Sequence, residues 1–481
     1  MNNQINKKVF FILLIMLLYV PLLGLRGLGE PDEGRYAEIA REMVESKDFI
    51  TPRLNAVKHF HKPPLVYWMV AASLSVLGKN EFAARLPVLV FALIGIIGTY
   101  RFSKALFPEK KDLAFFSSFV LALSLQYYIW SQILCPDMIL SVLMLLVFCS
   151  FWQFVQTGKG LFAVAVYLGL SFLVKGPVAF LLVFIVALVF FLVTRDREKA
   201  KKIFAPAPWL VFLIIVLPWF VTVMIKNKGL LSYFLNYHLL QRFATTAHGR
   251  SRPFYYFLGI LLAGMLPWTF WTVKGLFVSR KLIFQDKRYL FLYLWIIVPL
   301  VFFSLSGSKL PGYILPVYPA LSIITADVLK KDGKKWIVFG SLSAFLYASA
   351  MISAWMLEES LGENFSPRRP AEIILSNKLP GDRIASFRCF LHGLPFYVGE
   401  RVVLVEKKRE VQFEEHLDKG YYVEKLDEFL VMLKRQRIFC FSYEEDFEEL
   451  DEKSPVPLFI LWKNSGFVLF TNFEPAEEMA R

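Results

Sequence analysis

The chain has 481 residues, of which 56% are hydrophobic and 16% aromatic, and its mean hydropathy is +0.49. Soluble chains contain about 45–50% apolar residues, whereas here the apolar residues form blocks of roughly 20, the length that crosses a hydrocarbon core, so an ordinary soluble fold is excluded. The formal charge of +14 does not indicate nucleic-acid binding, because the basic residues lie between the apolar blocks, where they set membrane topology.

About eleven apolar segments are long enough to span a membrane, and up to thirteen are compatible with the pattern. The first segment follows Lys7 and Lys8 and lacks the small-residue cleavage site of a signal peptide, so we expect it to be retained. A shorter stretch, 64–78, favours an interfacial or re-entrant helix. The predicted spans are 9–28, 82–107, 113–129, 138–156, 161–175, 177–194, 207–225, 254–278, 289–306, 313–329 and 336–357.

Basic clusters occur in every second connection between these spans, for example at 101–111, 195–202 and 280–288. The positive-inside rule then predicts a cytoplasmic N-terminus. The opposite connections contain nearly all the unusual polar residues, so we expect the chemistry on the outer face. These outer connections are 29–63, 130–137, 226–253 and 307–312, together with everything after residue 357.

The composition becomes charged and mixed from residue 358 onward. Short β-rich runs at 401–405, 438–442 and 467–472 alternate with a helical stretch near 426–434. About 120 residues are enough to bury a core. We therefore predict a membrane body over 1–357 and a small soluble α/β domain over 358–481, on the outer side.

The first outer loop begins with a helix-start pattern. Pro31 suits the first helical position, and Asp32 and Glu33 complement the N-terminal dipole. Asp32, Arg35 and Tyr36 then share one helix face. These charges have a purely structural interpretation as caps and ion pairs. Charges next to membrane spans nevertheless favour a functional role.

Further charged residues mark the end of this loop and the later outer connections. Lys62 precedes two prolines and a helix start, where an ammonium is disfavoured unless an anion shares the site; a lysine reaching the membrane interface is the simpler alternative. Asp137 begins an apolar run, either as a cap or as a second functional carboxylate. The other candidates are His238 and Arg242, four positions apart, and Lys309 and Tyr313 before a late span.

Four cations are thereby predicted on one side of the membrane: Arg35, Lys62, Arg242 and Lys309. Preorganised positive charge in a site that partly excludes water stabilises a departing phosphate. The sequence has no glycine-rich loop of the nucleotide-binding type. An anionic lipid phosphate is therefore a better predicted ligand than a soluble nucleotide.

Four segments carry a family resemblance. PDEGRYAEIAREM, HFHKPPLVYWM, NYHLLQRF and SKLPGYILPVYP occur in the order found in bacterial lipid A aminoarabinose transferases, which are polytopic glycosyltransferases of the GT-C type related to protein O-mannosyltransferases. The resemblance covers about residues 9–330. It implies a bacterial inner-membrane enzyme that takes its sugar from undecaprenyl phosphate at the periplasmic face and transfers it to lipid A.

The resemblance also implies residue roles. Asp32 matches the essential loop aspartate, and Asp137 resembles a second important acid. Lys309, Glu33 and Tyr36 are further site candidates on position alone. The groups matching those that hold the lipid phosphate are Arg35, Lys62, Arg242 and Tyr313.

A metal site is a weaker expectation. His238 matches a histidine that shares a metal with a glutamate in the family, but His61 stands where that glutamate is expected. Two imidazoles can bind zinc, although two ligands make a poor site. No cofactor is predicted with certainty, and a divalent metal such as zinc remains open.

Two groups of alternatives remain. A related transferase would act on core oligosaccharide or on protein Ser/Thr, as mannosyltransferases do. A lipid-sugar transporter would place its polar residues near mid-membrane on broken helices, often in paired halves. Here the polar residues gather at outer loop ends and no two halves correspond, which favours the transferase.

Overall fold

The computed structural model describes residues 2–233, 252–333, 335–356, 366–406, 420–464 and 466–475. The chain forms two compact units. The first, the helical unit, comprises Met1–Leu23, Lys62–Val66 and Arg85–Ala350; the second, the mixed unit, comprises Gly24–His61, Tyr67–Ala84 and Met351–Arg481. Most of the first predicted outer loop therefore belongs to the same compact unit as the C-terminal residues. The predicted domain boundary at 357/358 stays a prediction.

The helical unit is built from apolar helices that begin at prolines in several places, as at Pro136 and Pro206. Its helices are Asn2–Tyr19, Glu81–Leu106 (from Arg85), Leu113–Ala122, Leu125–Ser131, Pro136–Thr157, Leu161–Lys175, Val178–Thr194, Arg197–Lys202, Pro206–Lys226, Leu230–Tyr233, Tyr256–Gly264, Thr269–Ser279, Lys287–Leu305, Tyr318–Leu329 and Lys335–Met356 (to Ala350), with 3₁₀ segments at Pro21–Leu23, Arg280–Leu282 and Pro311–Val317.

Five of the described helices are long and apolar enough to cross a membrane, or seven if two bent pairs each count as one span. The chain is thus a multi-pass membrane protein. Two predicted spans are not straight: residues 113–129 bend by 62° between two helices, and residues 254–278 bend by 114°. Apolar content reveals the length of a segment but not a break within it. The first helix also ends at Tyr19, earlier than the predicted span 9–28.

The helix Pro136–Thr157 lies at the centre of the helical unit, with most of its residues buried. Its Phe148 packs against Trp295, with ring centroids 4.5 Å apart. The indole of Trp295 in turn donates a hydrogen bond of 2.7 Å to the carbonyl of Pro316. These contacts fix one end of the 3₁₀ segment Pro311–Val317, which belongs to the candidate site.

The mixed unit contains a small α/β fold and the helix of the first loop. Its helices are Asp32–Ser46, Leu65–Leu77 (from Tyr67), Arg368–Asn377, Leu394–Val398, Leu426–Arg435 and Glu444–Lys453. Its strands are β1 (Arg53–Leu54), β2 (Val57–Lys58), β3 (Arg383–Phe387), β4 (Val403–Val405), β5 (Tyr422–Val423), β6 (Ile438–Tyr443), β7 (Phe459–Asn464) and β8 (Phe467–Thr471).

The larger sheet has the strand order β5-β4-β3-β6-β8-β7. Strands β5, β4, β3 and β6 are parallel, whereas β8 and β7 are antiparallel additions at one side. The parallel strands are apolar nearly throughout, as is usual when both faces are covered. One face packs on Phe429 and Leu433 of one helix and on Phe447 and Leu450 of another. The predicted strands and the predicted helix near 426–434 are present.

The first loop, including the helix Asp32–Ser46, packs within the mixed unit. Glu38 is fully buried and receives two hydrogen bonds of 2.7 Å from Arg41. Asn55, just after β1, exchanges two hydrogen bonds of 2.8 Å with the backbone of Val402. Burial raises the pKa of Glu38 well above its usual value, and the Arg41 guanidinium opposes this shift. The loop is therefore a packed element of this unit.

Candidate active site

Asp137 forms a largely buried ion pair in the helical unit. Its helix begins at Pro136. The Asp137 carboxylate accepts a hydrogen bond of 2.6 Å from Nζ of Lys175, and the two side chains are only 16% and 14% exposed. Asp137 is therefore more than a helix cap. Two charges held together in an apolar body are costly to desolvate and stay because they are paired.

Tyr313 covers this ion pair. Nζ of Lys175 lies 4.5 Å from the centre of the Tyr313 ring, a cation–π geometry. Beside it, Gly312 packs so closely that an added Cβ would lie 2.5 Å from the Trp130 indole nitrogen and 2.9 Å from the Asp137 carboxyl carbon. The glycine is needed for this close approach. Asp137, Lys175 and Tyr313 are named here the inner cluster.

Hydrogen bonds position the segment that carries Lys309 and Tyr313. Gln126 donates a hydrogen bond of 2.6 Å to the carbonyl of Pro311, and the Tyr318 hydroxyl donates one of 2.5 Å to the Gln126 side chain. Lys309 is buried, and its Nζ donates a hydrogen bond of 2.6 Å to the Ser306 carbonyl. The structure thus brings two predicted site residues, Tyr313 and Asp137, into one cluster.

In the mixed unit, Asp32 and Arg35 form an ion pair one helical turn apart. The Asp32 side chain is 59% exposed and that of Arg35 is 22% exposed. Arg35 also lies near the ring of its neighbour Tyr36, at 6.0 Å, and Tyr36 packs against Tyr67 with ring centroids 5.4 Å apart. The predicted shared face of Asp32, Arg35 and Tyr36 is therefore present, and its carboxylate is accessible.

Two other loop acids have different surroundings. Glu33 is buried, pairs with Arg26 at 2.7 Å and accepts a hydrogen bond from the backbone of Gly29, so it fixes the chain before the helix. Glu30 accepts hydrogen bonds from the backbone N–H groups of His392 and Gly393 at 2.9 and 2.6 Å. Burial raises the pKa of Glu30, whereas His392 and these backbone donors oppose the rise.

Three sets of comparisons agree on what this arrangement resembles. A family model described as dolichyl-phosphate-mannose-protein mannosyltransferase matches residues 61–225. The undecaprenyl phosphate-α-4-amino-4-deoxy-L-arabinose arabinosyl transferase 2 of Sodalis glossinidius is 30% identical over 375 residues, which are 74% of this chain and 67% of that protein. The arabinosyl transferase of Erwinia tasmaniensis is 30% identical over 351 residues, or 72% of this chain and 62% of that protein.

The chain belongs to the undecaprenyl phosphate-aminoarabinose arabinosyl transferase family. The match to another member, from Wigglesworthia glossinidia brevipalpis, is 31% identical and covers 66% of that protein. The chain thus spans about two thirds, or slightly less, of the length of these curated relatives. The sequence-based prediction of the family is confirmed.

Solved structures show the same fold. ArnT from Cupriavidus metallidurans, in a crystal structure bound to undecaprenyl phosphate, superposes with a TM-score of 0.87 at 23% identity, over 99% of each chain. The apo form gives a TM-score of 0.83 at 24% identity, over 100% of this chain and 99% of that one. These matches confirm the predicted class, a polytopic GT-C helical protein with a small C-terminal α/β region.

For the other predicted site residues of this arabinosyl transferase family member, the structure gives only part of the arrangement. Lys62 lies half buried just before the helix Leu65–Leu77 and belongs to the helical unit, whereas Arg35 belongs to the mixed unit. Arg242 and His238 lie outside the described residues. The convergence of the cations on one phosphate therefore stays a prediction.

The metal prediction also stays untested. His61 packs against His59, with ring centroids 4.1 Å apart, while its predicted partner His238 lies outside the described residues. Within the described ranges, no group of three or more His, Cys, Asp or Glu side chains is arranged to hold a metal ion. The donors that are described do not fit a complete zinc site, and the proposed reaction has no step through one.

Sequence reasoning missed Lys175. The residue ends an apolar helix, Leu161–Lys175, and is followed by Gly176 and Pro177. A lysine at the end of an apolar span has the ready explanation of reaching the membrane interface. The available signal was its place as the last residue of the predicted span 161–175, since an ionisable residue in a membrane span calls for a named partner.

Proposed function

We propose that this protein is a glycosyltransferase that moves 4-amino-4-deoxy-L-arabinose, or a closely related sugar, from undecaprenyl phosphate to lipid A. Membership in the arabinosyl transferase family supports the donor, since the relatives' names specify it. ArnT of Cupriavidus metallidurans, which shares the fold, binds undecaprenyl phosphate in its crystal structure. Lipid A as acceptor rests on the resemblance of the four sequence segments. We further propose a bacterial inner-membrane location with the N-terminus cytoplasmic and residues 358–481 periplasmic.

The inner cluster is the structural observation that carries this proposal. An ion pair between Asp137 and Lys175, covered by Tyr313, lies in an otherwise apolar body beside the predicted outer segment 307–312. A purely structural scaffold gains little from such a pair, because apolar residues of similar volume would be as stable. The cluster instead holds Tyr313 and its segment in one place, as a preorganised site requires.

The proposed reaction is a single displacement at the anomeric carbon of the donor sugar. An acceptor oxygen forms the new bond to that carbon, while the bond to the carrier's phosphate oxygen breaks. The electron pair of the broken bond leaves with undecaprenyl phosphate. Arg35, Lys62 and Arg242, with Tyr313, are proposed to stabilise the negative charge on that departing phosphate.

The acceptor decides the role of Asp32. If a hydroxyl attacks, its proton must go to a base, and the exposed Asp32 carboxylate is suited to receive it. A phosphate monoester has a second pKa of about 6 and is already nucleophilic at neutral pH. In that case Asp32 would orient Arg35, with which it is paired, or bind the amino group of the donor.

Purified protein in vesicles, given radiolabelled undecaprenyl-phosphate aminoarabinose and lipid A, tests the proposal. We expect label in lipid A with the wild type and none with Lys62→Ala. Lys58→Ala is the matched control, since Lys58 is half buried in the same loop, and it should retain activity. Normal transfer by Lys62→Ala would refute the site assignment, and absence of transfer by the wild type would refute the substrate pair.

A mannosyltransferase acting on protein Ser/Thr is the second candidate, because the matching family model carries that description. An assay with polyprenyl-phosphate mannose as donor and a Ser/Thr-rich peptide as acceptor distinguishes the two candidates. The same assay with core oligosaccharide as acceptor tests a third acceptor class. A lipid-sugar transporter would instead move the donor across the vesicle membrane and leave the sugar–phosphate bond intact.

A further inference from the structure

The carboxylate of Glu30 ties the start of the first-loop helix to a distant part of the same unit. Its side chain is only 10% exposed and accepts the backbone N–H groups of His392 and Gly393, which are 362 and 363 residues away in sequence. The ring Nδ1 of His392 lies 3.2 Å from the carbonyl of Pro31, and it is the donor, because a carbonyl oxygen can only accept. Hydrogen bonds from backbone N–H groups to a carboxylate are among the stronger ones. The residues directly before Asp32 are therefore held from the C-terminal part of the unit.

Two further contacts strengthen this connection. The N–H of Leu28 donates a hydrogen bond of 2.7 Å to the hydroxyl of Tyr397. Gly34 lies so close to Gly393 that a Cβ added at Gly34 would be 2.6 Å from the Gly393 nitrogen, and one added at Gly393 would be 3.2 Å from Cα of Gly34. Glycine at both positions permits this approach. We name the loop tether the contacts that join residues 392–397 to Leu28, Glu30, Pro31 and Gly34.

Asp32 depends on the loop tether for its position. In the part of the chain that the structure describes, its side chain forms a hydrogen bond only with Arg35, on the same helix. That bond does not fix the carboxylate relative to anything outside the helix. The first helical turn, however, closes on tethered residues: the N–H of Glu33 donates to the Gly29 carbonyl at 3.1 Å, and the N–H of Arg35 donates to the Pro31 carbonyl at 3.3 Å.

We propose that the loop tether positions the Asp32 carboxylate for sugar transfer, with Glu30 as its central positioning residue and residues 392–397 as the fixed support. This inference rests on the proposed function, which gives Asp32 a part in the reaction. A displacement of about 1 Å at a reacting group can lower an enzymatic rate about 10²-fold. The C-terminal α/β region thereby takes part in the reaction through the first loop.

Glu30→Gln tests the tether with little change in side-chain shape. One acceptor oxygen becomes an NH₂ group that faces a backbone N–H donor, so we expect kcat per folded full-length protein to fall about 10–100-fold in the vesicle transfer assay. Glu42→Gln is the matched control, because Glu42 lies on the same helix and its carboxylate accepts the backbone N–H of Ala56 at 2.9 Å. It should lower stability and leave kcat nearly unchanged.

Two further variants separate positioning from general destabilisation. Gly393→Ala places a Cβ 2.8 Å from Oε1 of Glu30; it displaces the loop without removing a charge and should lower kcat to a similar degree. If Glu30 acts through Asp32, Glu30→Gln/Asp32→Asn should be about as active as Asp32→Asn alone. Losses that multiply in the double variant would overturn the proposal, as would wild-type kcat in both Glu30→Gln and Gly393→Ala.

Hydrogen–deuterium exchange of the full-length protein follows the tether independently of the reaction. The amides of residues 33–35 should exchange faster in Glu30→Gln than in the wild type, and at the wild-type rate in Glu42→Gln. Unchanged exchange in Glu30→Gln would overturn the proposal. If the wild type transfers no sugar, the proposed function fails, and the exchange of these amides still decides whether the tether holds the start of the helix.

Discussion

The two candidate carboxylates occupy opposite environments. Asp137 is 16% exposed and held by Lys175 in the helical unit, whereas Asp32 is 59% exposed and pairs with Arg35 on the first-loop helix of the mixed unit. Removing one member of a buried pair leaves an uncompensated charge, which destabilises a protein by about 3–5 kcal/mol. An exposed pair contributes about 0–1 kcal/mol. Loss of a charged partner should therefore mainly lower stability at Asp137, whereas loss of the carboxylate charge should mainly lower activity at Asp32.

The largest effect is expected on activity at Asp32. Asp32→Asn should lower sugar transfer by a factor of about 10²–10⁴ if the carboxylate acts as a base. The unfolding free energy should change by less than about 1 kcal/mol, because the side chain is exposed. Transfer assays and thermal unfolding of the same preparation check both statements.

Glu45→Gln is the matched control for Asp32→Asn. Glu45 is 60% exposed, lies on the same helix and also pairs with an arginine, Arg41. Its replacement should leave transfer nearly unchanged. If both variants lose activity equally, the loss at Asp32 reflects a general need for charge on this helix, and the assignment of Asp32 fails.

The buried pair should respond in the opposite sense. Lys175→Met should destabilise the protein by about 3 kcal/mol, since Asp137 is left buried without its cation. The double variant Asp137→Asn/Lys175→Met should recover at least half of that loss in chemical unfolding of the detergent-solubilised protein. A double variant no more stable than the single one would show that the pair is not the origin of the effect.

Tyr313 should give a smaller change that separates its ring from its hydroxyl. Tyr313→Leu removes the cation–π contact with Lys175 and should lower stability by about 1 kcal/mol. Tyr313→Phe retains the ring and should keep wild-type stability. If the hydroxyl contacts the donor phosphate, Tyr313→Phe will nevertheless reduce transfer, and unchanged transfer would remove Tyr313 from the phosphate-binding set.

The smallest effect concerns a partly exposed network in the mixed unit, where Arg388 pairs with Glu406, Asp446 and Glu449. Hydrogen bonding to Arg388 lowers the pKa of Glu449 to about 2 from its ordinary 4.5. Because the folded pKa is depressed, the pair stabilises the fold above about pH 4.5 and loses this contribution as the pH falls towards 2.

Arg388→Gln should therefore lower the melting temperature slightly at neutral pH, and its difference from the wild type should shrink below pH 4.5. Lys463→Gln, which removes a cation paired with Glu444 on the same helix as Glu449, is the control. A difference that grows on acidification would contradict the assigned direction of the pKa shift.

Much of the fold was predictable because hydrophobic length and charge placement are direct consequences of the bilayer. The apolar helices, the family and the C-terminal α/β region follow from them and from four motifs. The bends at 113–129 and 254–278 were not predictable, because an apolar segment has the same composition whether straight or broken.

The site was predictable in its residue types but not in its pairings. Asp32 and Arg35 are one turn apart, so helical spacing alone places them together. The partner of Asp137 is 38 residues away in sequence, and only tertiary packing brings Lys175 to it. The grouping of the first loop with the C-terminal residues is another long-range result, shown by the Asn55–Val402 hydrogen bonds.

A cryo-EM structure of the full chain with undecaprenyl phosphate is the most direct test of the central claim, that cations from distant segments hold one carrier phosphate. We expect Arg35, Lys62 and Arg242 all to lie within hydrogen-bonding distance of that phosphate, with Tyr313 beside it. A phosphate bound elsewhere, or these three side chains directed to separate surfaces, would contradict the proposed active site while leaving the helical fold intact.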